Sequence, residues 1–355
     1  MRASTDPAPL HGHSLSPGPA AIALGLALIM GLCSCATDAT LRAIPVVGPG
    51  YRTPSDFRIV GYFPSWSGDP DLVQYRALTH INYAFLAPTM EGGYHPVDRP
   101  EKLELLVTYA HAYGVRVLGS LGGWNDGGPN AYDTIAADPG LTAAFCDATM
   151  ALVERYDLDG IDMDWEFPKP ATADNFARLM TALAERLHSC HKLLTIAVSA
   201  TGYHGRDYSD ELLSEVDFLN IMAYDDGYKQ PGVHHSSYAY AEAAMRYWIV
   251  ERGLPITKAV LGLPFYGRSL VNGHAVTYRS ILSEDDDAAA KDVSGEYGYN
   301  GFDTIRSKTL DLAYANGGGV MIWQIAQDAR GDRSLLNAIF DAVKESWMPP
   351  GSRLQ

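Results

Sequence analysis

Cysteine is scarce in this sequence, with four residues in 355. Cys33 and Cys35 lie together near the N-terminus, leaving Cys146 and Cys190 for the rest of the chain. Two are too few for a disulfide framework, and both are expected as free thiols in or at the ends of helices. Positive charge is also short: 27 Lys and Arg against 42 Asp and Glu give a formal net charge of −15. A field of that sign repels polyphosphates and anionic bilayers, so no nucleic acid is expected as a partner. A neutral polymer, with or without free amino groups, fits better. No Gly-rich nucleotide loop follows the first expected strand, which argues against an open dinucleotide-binding sheet, and no cofactor is expected. Long apolar runs are missing as well. The best one, AAIALGLALIMGL at 20–32, is shorter than the ~20 residues that span a bilayer.

That run has the length of a signal-peptide core. Leu32-Cys33-Ser34-Cys35-Ala36 follows it and resembles a bacterial lipoprotein box, with Cys35 as the residue to be lipidated. Residues 1–34 are therefore expected to be a signal peptide of lipoprotein type and 35–56, rich in Pro, Gly and Thr, a linker. Cleavage near Ala36 to Ala39 and an uncleaved anchor are the alternatives. The expected location is the cell envelope or the exterior, with membrane contact only through the lipid, and the expected state is a monomer.

From residue 58 the chain alternates short β-branched runs with amphipathic stretches. Strands are expected to start at Arg58, Thr79, Val115, Gly160, Leu193, Phe218, Ala259 and Gly319. Helices are expected over 141–156, 173–189, 238–253, 304–317 and 334–346. Eight such units predict one α/β domain over 57–348, a (β/α)8 TIM barrel, whose active site lies at the carboxyl ends of the strands. Polar and aromatic residues collect at those ends: Tyr62, Trp66, Tyr83, Phe85, Ser120, Trp124, Asp164, Glu166, Met222, Tyr224, Asp225, Tyr266, Arg268, Trp323 and Gln324.

The most informative stretch is Asp159-Gly160-Ile161-Asp162-Met163-Asp164-Trp165-Glu166. Strand alternation puts Asp162, Asp164 and Glu166 on one face and Ile161, Met163 and Trp165 on the other. Three carboxylates then stand in file, ~6 to 7 Å apart along the strand. Burying like charges together raises pKa values, which suits a general acid near neutral pH. A carboxylate metal site is the competing reading, but such sites draw oxygen ligands from several elements, and no metal is expected. Asp159 has the wrong parity and is expected to brace backbone.

These residues closely resemble the glycoside hydrolase family 18 chitinases, whose catalytic strand reads D-x-x-D-x-D-x-E. The resemblance extends to Ser120, Gly122 and Gly123 of an S-x-G-G motif, to Met222, Tyr224 and Asp225 of an M-x-Y-D motif, and to Trp323. It implies hydrolysis of β-1,4-N-acetylglucosamine linkages, with chitin or chitooligosaccharides as substrate. It further implies retention of configuration, the substrate's own 2-acetamido oxygen attacking C1. Glu166 would be the acid and then the base, Asp164 would orient the acetamido N–H, and Asp162 would take up charge or a proton beneath it. Tyr224 would hold the acetamido oxygen and Asp225 would bond the sugar or the bent linkage. Trp323 would floor the sugar pocket, with Trp124 as an exposed contact beside the cut. Tyr62, Tyr266 and Arg268 are further binding candidates, Arg268 either touching sugar or bracing a carboxylate.

The small wall that many processive relatives carry between strands seven and eight is expected to be absent or reduced to a loop over 269–303. That shape would favour soluble or loosely ordered chains. An endo-β-N-acetylglucosaminidase acting on N-glycans or peptidoglycan would use the same chemistry. A non-catalytic lectin would have no reason to keep Glu166.

Overall fold

The computed structural model describes residues 57–124 and 130–347. The expected signal peptide at 1–34, Cys35 and the linker at 35–56 lie outside the described residues. Among the described residues, eight parallel strands close a barrel. They are β1 (Arg58–Pro64), β2 (His80–Leu86), β3 (Arg116–Gly122), β4 (Gly160–Asp164), β5 (Leu193–Ser199), β6 (Phe218–Met222), β7 (Ala259–Pro264) and β12 (Gly319–Trp323). The order around it is β1-β12-β7-β6-β5-β4-β3-β2, the closed sheet that the sequence pattern predicts.

Between β7 and β12 the chain is not a loop. β8 (Tyr266–Ser269), β9 (Ala275–Thr277), β10 (Val293–Ser294) and β11 (Tyr297–Gly298) form an antiparallel sheet ordered β10-β11-β8-β9. The wall is therefore reduced but built, and its strands of two to four residues were too short to show a period-two signal. Tyr266 and Arg268 belong to β8, not to the seventh barrel strand, which stops at Pro264.

Helices cover the outside: α1 (Pro100–Ala112), α2 (Ala131–Ala137), α3 (Pro139–Arg155), α4 (Ala173–Ser189), α5 (Gly202–Gly205), α6 (Asp210–Glu215), α7 (Tyr238–Arg246), α8 (Tyr278–Glu284), α9 (Phe302–Tyr314) and α10 (Leu335–Ser346). α4 shows why they form. Phe176, Leu179, Met180, Leu183, Ala184 and Leu187 recur at helical spacing and are all buried, a stripe that packs on the sheet. Asp138 begins α3 by accepting hydrogen bonds from the amides of Gly140 and Leu141, relieving two of the orphan donors at that end. No helix among the described residues is long and apolar enough to cross a membrane. Cys146 is buried and Cys190 half-buried.

Strand alternation divides two cores. Ile161, Met163 and Trp165 join the large apolar layer between sheet and helices. Val60, Tyr62, Ala84, Phe218, Val260 and Met321 pack inside the barrel. Tyr83 sits at a strand end but has the outward parity; it is buried under the helices, its hydroxyl donating to the Asp98 carbonyl at 2.8 Å.

Candidate active site

Register across the barrel builds the site from below. Ser120 of β3 pairs with Asp162 of β4, which pairs with Thr195 of β5, so three inward side chains form one row. The Asp162 carboxylate accepts four hydrogen bonds, from Tyr62 Oη at 2.6 Å, Ser120 Oγ at 2.9 Å, Thr195 Oγ1 at 2.6 Å and Asn220 Nδ2 at 3.0 Å. Burial pushes its pKa up, while each of these bonds favours the charged form. Burial prevails, so the carboxyl sits above its usual range, and the four donors limit that rise by favouring the charged form.

Asp164 stands one step higher and has the opposite surroundings. Its Oδ1 is buried without a hydrogen-bond partner. Burial, then the charges of Glu166 and Asp162, hold its carboxyl well above the usual range, a direction that favours the protonated form. Glu166 lies past the end of β4 and lines the cavity. Burial and then the charge of Asp225 push its pKa up to about 7. Along the file burial raises all three carboxyls, with hydrogen bonds limiting the rise at Asp162 and neighbouring charges adding to it at Asp164 and Glu166.

The glycines after β3 are fixed by this arrangement. Gly122 has φ 110° and a Cβ there would stand 2.4 Å from the Asp164 carbonyl; at Gly123, φ 85°, it would stand 2.5 Å from the Phe85 ring. Neither position accepts a side chain.

Just past β6, Tyr224 is half-buried with its hydroxyl aimed at Met321 Sδ, 3.8 Å away, a weak acceptor. Burial and the charges of Asp164 and Glu166 hold it firmly protonated. Burial alone would raise the Asp225 carboxyl, but Arg268, His235 and Tyr266 outweigh it and hold it well below the usual range. Arg268 grips it through Nε and Nη2, the latter 2.7 Å from Oδ2, and Tyr266 Oη donates at 2.6 Å. Of the two roles expected for Arg268, the carboxylate brace is the one this geometry occupies.

Aromatic rings complete the cavity, which has a volume of about 610 Å³. Trp323 stacks on Phe85 with centroids 5.8 Å apart and meets Tyr62 edge-on at 5.4 Å. Trp66 lies 6.0 Å from Phe85. Trp66 and Trp124 are mostly exposed. The cavity gathers Tyr62, Trp124, Asp164, Glu166, Met222, Tyr224, Asp225, Tyr266, Arg268 and Trp323, with Asp162 beneath. Gln324 is not among them; it turns away and caps the backbone at Ala326. Asp159 is outside too, where it accepts from the Val117 amide at 2.7 Å and lies 2.9 Å from His111 Nε2.

Several lining residues had no sequence signal. Phe167 stacks on His204 at 4.3 Å, and Tyr228, Lys229 and Tyr240 close one side. His204 sits in the short α5, a loop-like turn with no periodicity. Thr195 and Asn220 read as ordinary strand residues, and only the file's inward parity could have marked them. Among the described residues no group of three or more His, Cys, Asp or Glu could hold a metal ion.

Comparison with known proteins agrees with this geometry. "Probable chitinase 2" of Drosophila melanogaster is 31% identical over 206 residues, 53% of this chain and 39% of that protein. "Endochitinase" of Manduca sexta is 29% identical over 282 residues, 66% of this chain and 49% of its own. The chain spans less than half the length of both. The crystal structure of the GH18 chitinase ChiB from the chitin utilization locus of Flavobacterium johnsoniae superimposes with a TM-score of 0.71 at 28% identity, covering 81% of this chain and 94% of that one. The profile of Glycosyl hydrolases family 18 matches residues 58–328; spanning all eight barrel strands and the carboxylate file, that match shows that the chain belongs to this family.

Proposed function

We propose that the protein is a chitinase that cleaves β-1,4-N-acetylglucosamine linkages with retention, using the substrate's 2-acetamido group as nucleophile. One observation carries this reading. The carboxylates lining the cavity, among the described residues, are Asp164, Glu166 and Asp225. Asp164 rises from the same strand as Glu166, and Asp225 is locked in its ion pair with Arg268. None is free to attack C1 from the face opposite the acid, where a retaining nucleophile must stand.

In this mechanism Glu166 protonates the glycosidic oxygen as the acetamido oxygen closes on C1, and the cut sugar leaves with that proton. Tyr224 Oη donates to the acetamido oxygen and aims it. Asp164 accepts from the acetamido N–H as positive charge develops on the new ring. Glu166 finally takes a proton from the water that opens the ring. Trp323 forms a floor on which the C–H face of the pyranose rests, and with Phe85 it keeps bulk water off the intermediate. Asp225, already charged and held, accepts from the sugar.

The reduced wall supports action on soluble or loosely ordered chains. The test is product analysis on penta- and hexa-N-acetylchitooligosaccharides, a high-mannose glycoprotein and peptidoglycan in parallel. Shortened chitooligosaccharides are expected; release of N-glycans or muropeptides with chitooligosaccharides left intact would move the assignment to the other N-acetylglucosaminidases.

A further inference from the structure

α9 carries Lys308 into the protein interior, 3% exposed. Its amine donates to three neutral oxygens: Asn300 Oδ1 at 2.8 Å, the Ser236 carbonyl at 2.9 Å and Ser236 Oγ at 3.2 Å. Burial drives its pKa down to about 7, opposed by the charge of Asp292. Among the described residues no carboxylate is bonded to it. A methionine of similar length would fill the same space without a desolvated charge, so packing alone does not account for the amine.

What Lys308 holds is the segment 234–236, which is pinned on two sides. Toward α9, Asn300 Nδ2 donates to the Ser236 carbonyl at 2.7 Å, and His234 Nε2 lies 2.8 Å from the Tyr299 carbonyl. Toward the cavity, Ser236 Oγ donates to the Ala223 carbonyl at 2.9 Å, and the Asp226 amide donates to the His235 carbonyl at 2.9 Å. The His235 ring is buried, with Nδ1 3.4 Å from both the amide and Oδ1 of Asp225 and with Nε2 unpartnered. Asp225 itself has φ 61°, a left-handed conformation that a non-glycine residue keeps when its surroundings impose it.

We infer that Lys308 is a positioning residue: through Ser236 and His235 it fixes the Tyr224–Asp225 turn that lines the cavity. The inference rests on the reading of that cavity as a sugar site. The titratable and charged groups around the segment are Lys308, Asp292, His234, His235, Asp225, Arg268 and Tyr266, whose ring lies 5.0 Å from that of His235.

The test is a double-mutant cycle of Lys308→Met and Ser236→Ala in the full chain. It is read as kcat and KM on a fluorogenic di-N-acetylchitobioside and as the ring titration of His235 by NMR, assigned with His235→Gln. If Lys308 acts through Ser236, each single change lowers kcat by about 10-fold or more, the scale of a slight misplacement in a site, with KM moving less. The double variant then loses no more than the worse single one. A lysine that only stabilises the fold lowers Tm and leaves kcat of the folded protein in place, and losses that multiply across the cycle mean separate action; either result overturns the inference. The His235 titration needs no substrate. Burial lowers the pKa of this ring, so loosening the segment in Lys308→Met raises it toward the ordinary histidine range, and an unchanged titration overturns the inference. Should the wild type leave the chitobioside intact while the His235 titration shifts in the variant, the functional reading falls and this one stands. If Lys308→Met does not fold, Ser236→Ala alone carries both readouts.

Discussion

Replacing Glu166 by Gln removes one proton and little else. The side chain keeps its size, and Asp162 with its four donors lies four residues away and is untouched. At pH 7 a group whose pKa is pushed up to about 7 is half protonated, so the wild type already works with a large fraction of its acid loaded. The variant has none. General acid catalysis contributes about 10²- to 10⁴-fold, which is roughly 3 to 5 kcal/mol of barrier. The loss depends on the leaving group. A sugar alkoxide needs the proton far more than an aryl oxide does, so kcat on tri-N-acetylchitotriose should fall much further than on an aryl di-N-acetylchitobioside. In the wild type, rate should also decline as pH rises through about 7, the direction expected when an acid must be protonated, and the variant should lose that limb. Equal losses on both substrates, or an alkaline limb surviving in Glu166→Gln, would refute the assignment of Glu166 as the acid.

The same raised pKa has a thermodynamic sign. Folded Glu166 binds its proton more tightly than the unfolded chain, so its contribution to stability is present below the ordinary carboxyl range and is lost as pH rises through about 7. The Tm of Glu166→Gln relative to wild type should therefore increase from pH 4 to pH 8, and a flat difference would contradict the burial argument. Asp162→Ala strands Tyr62, Ser120, Thr195 and Asn220 inside the barrel and should cost about 3 kcal/mol or more in urea unfolding; a loss under about 1 kcal/mol would mean that the row is not held by this carboxylate. On the proposed lipoprotein reading, the chain expressed with its own leader in a bacterial host partitions with membranes, and Cys35→Ser releases it or blocks maturation. Mass spectrometry that finds an unmodified N-terminus beyond Cys35 would remove the lipid from the account.

The barrel was legible because each long strand announces itself. Eight β-branched runs separated by amphipathic stretches leave few alternatives to closure, and the alternation around Asp162 sorted inward from outward residues correctly as far as Asp164. Short elements were not legible. β8 to β11 carry too few residues for a period, so Tyr266 and Arg268 were assigned to the end of a barrel strand although they stand on a separate sheet. Parity alone does not decide which strand-end residues reach the cavity: Tyr83 has outward parity and is buried beneath helices, whereas Phe85 shares that parity and lines the cavity, past the register shift between Ala84 and Leu86. The supporting hydroxyls and amides of Thr195 and Asn220 became visible only once register laid them beside Asp162. Lys308 gave no signal at all, since a lysine on an amphipathic helix is ordinarily solvated.

The account's central claim is that the nucleophile arrives with the substrate. Proton NMR of hexa-N-acetylchitohexaose hydrolysis, recorded before mutarotation, should show the β-anomer first. The same measurement on the fully deacetylated hexamer should show no cleavage. An initial α-anomer would mean inversion, with a protein carboxylate activating water on the far face of the ring. Rapid cleavage of the deacetylated chain would contradict the claim even with the β-anomer observed, because a protein nucleophile would then have to stand where this cavity has none among the described residues.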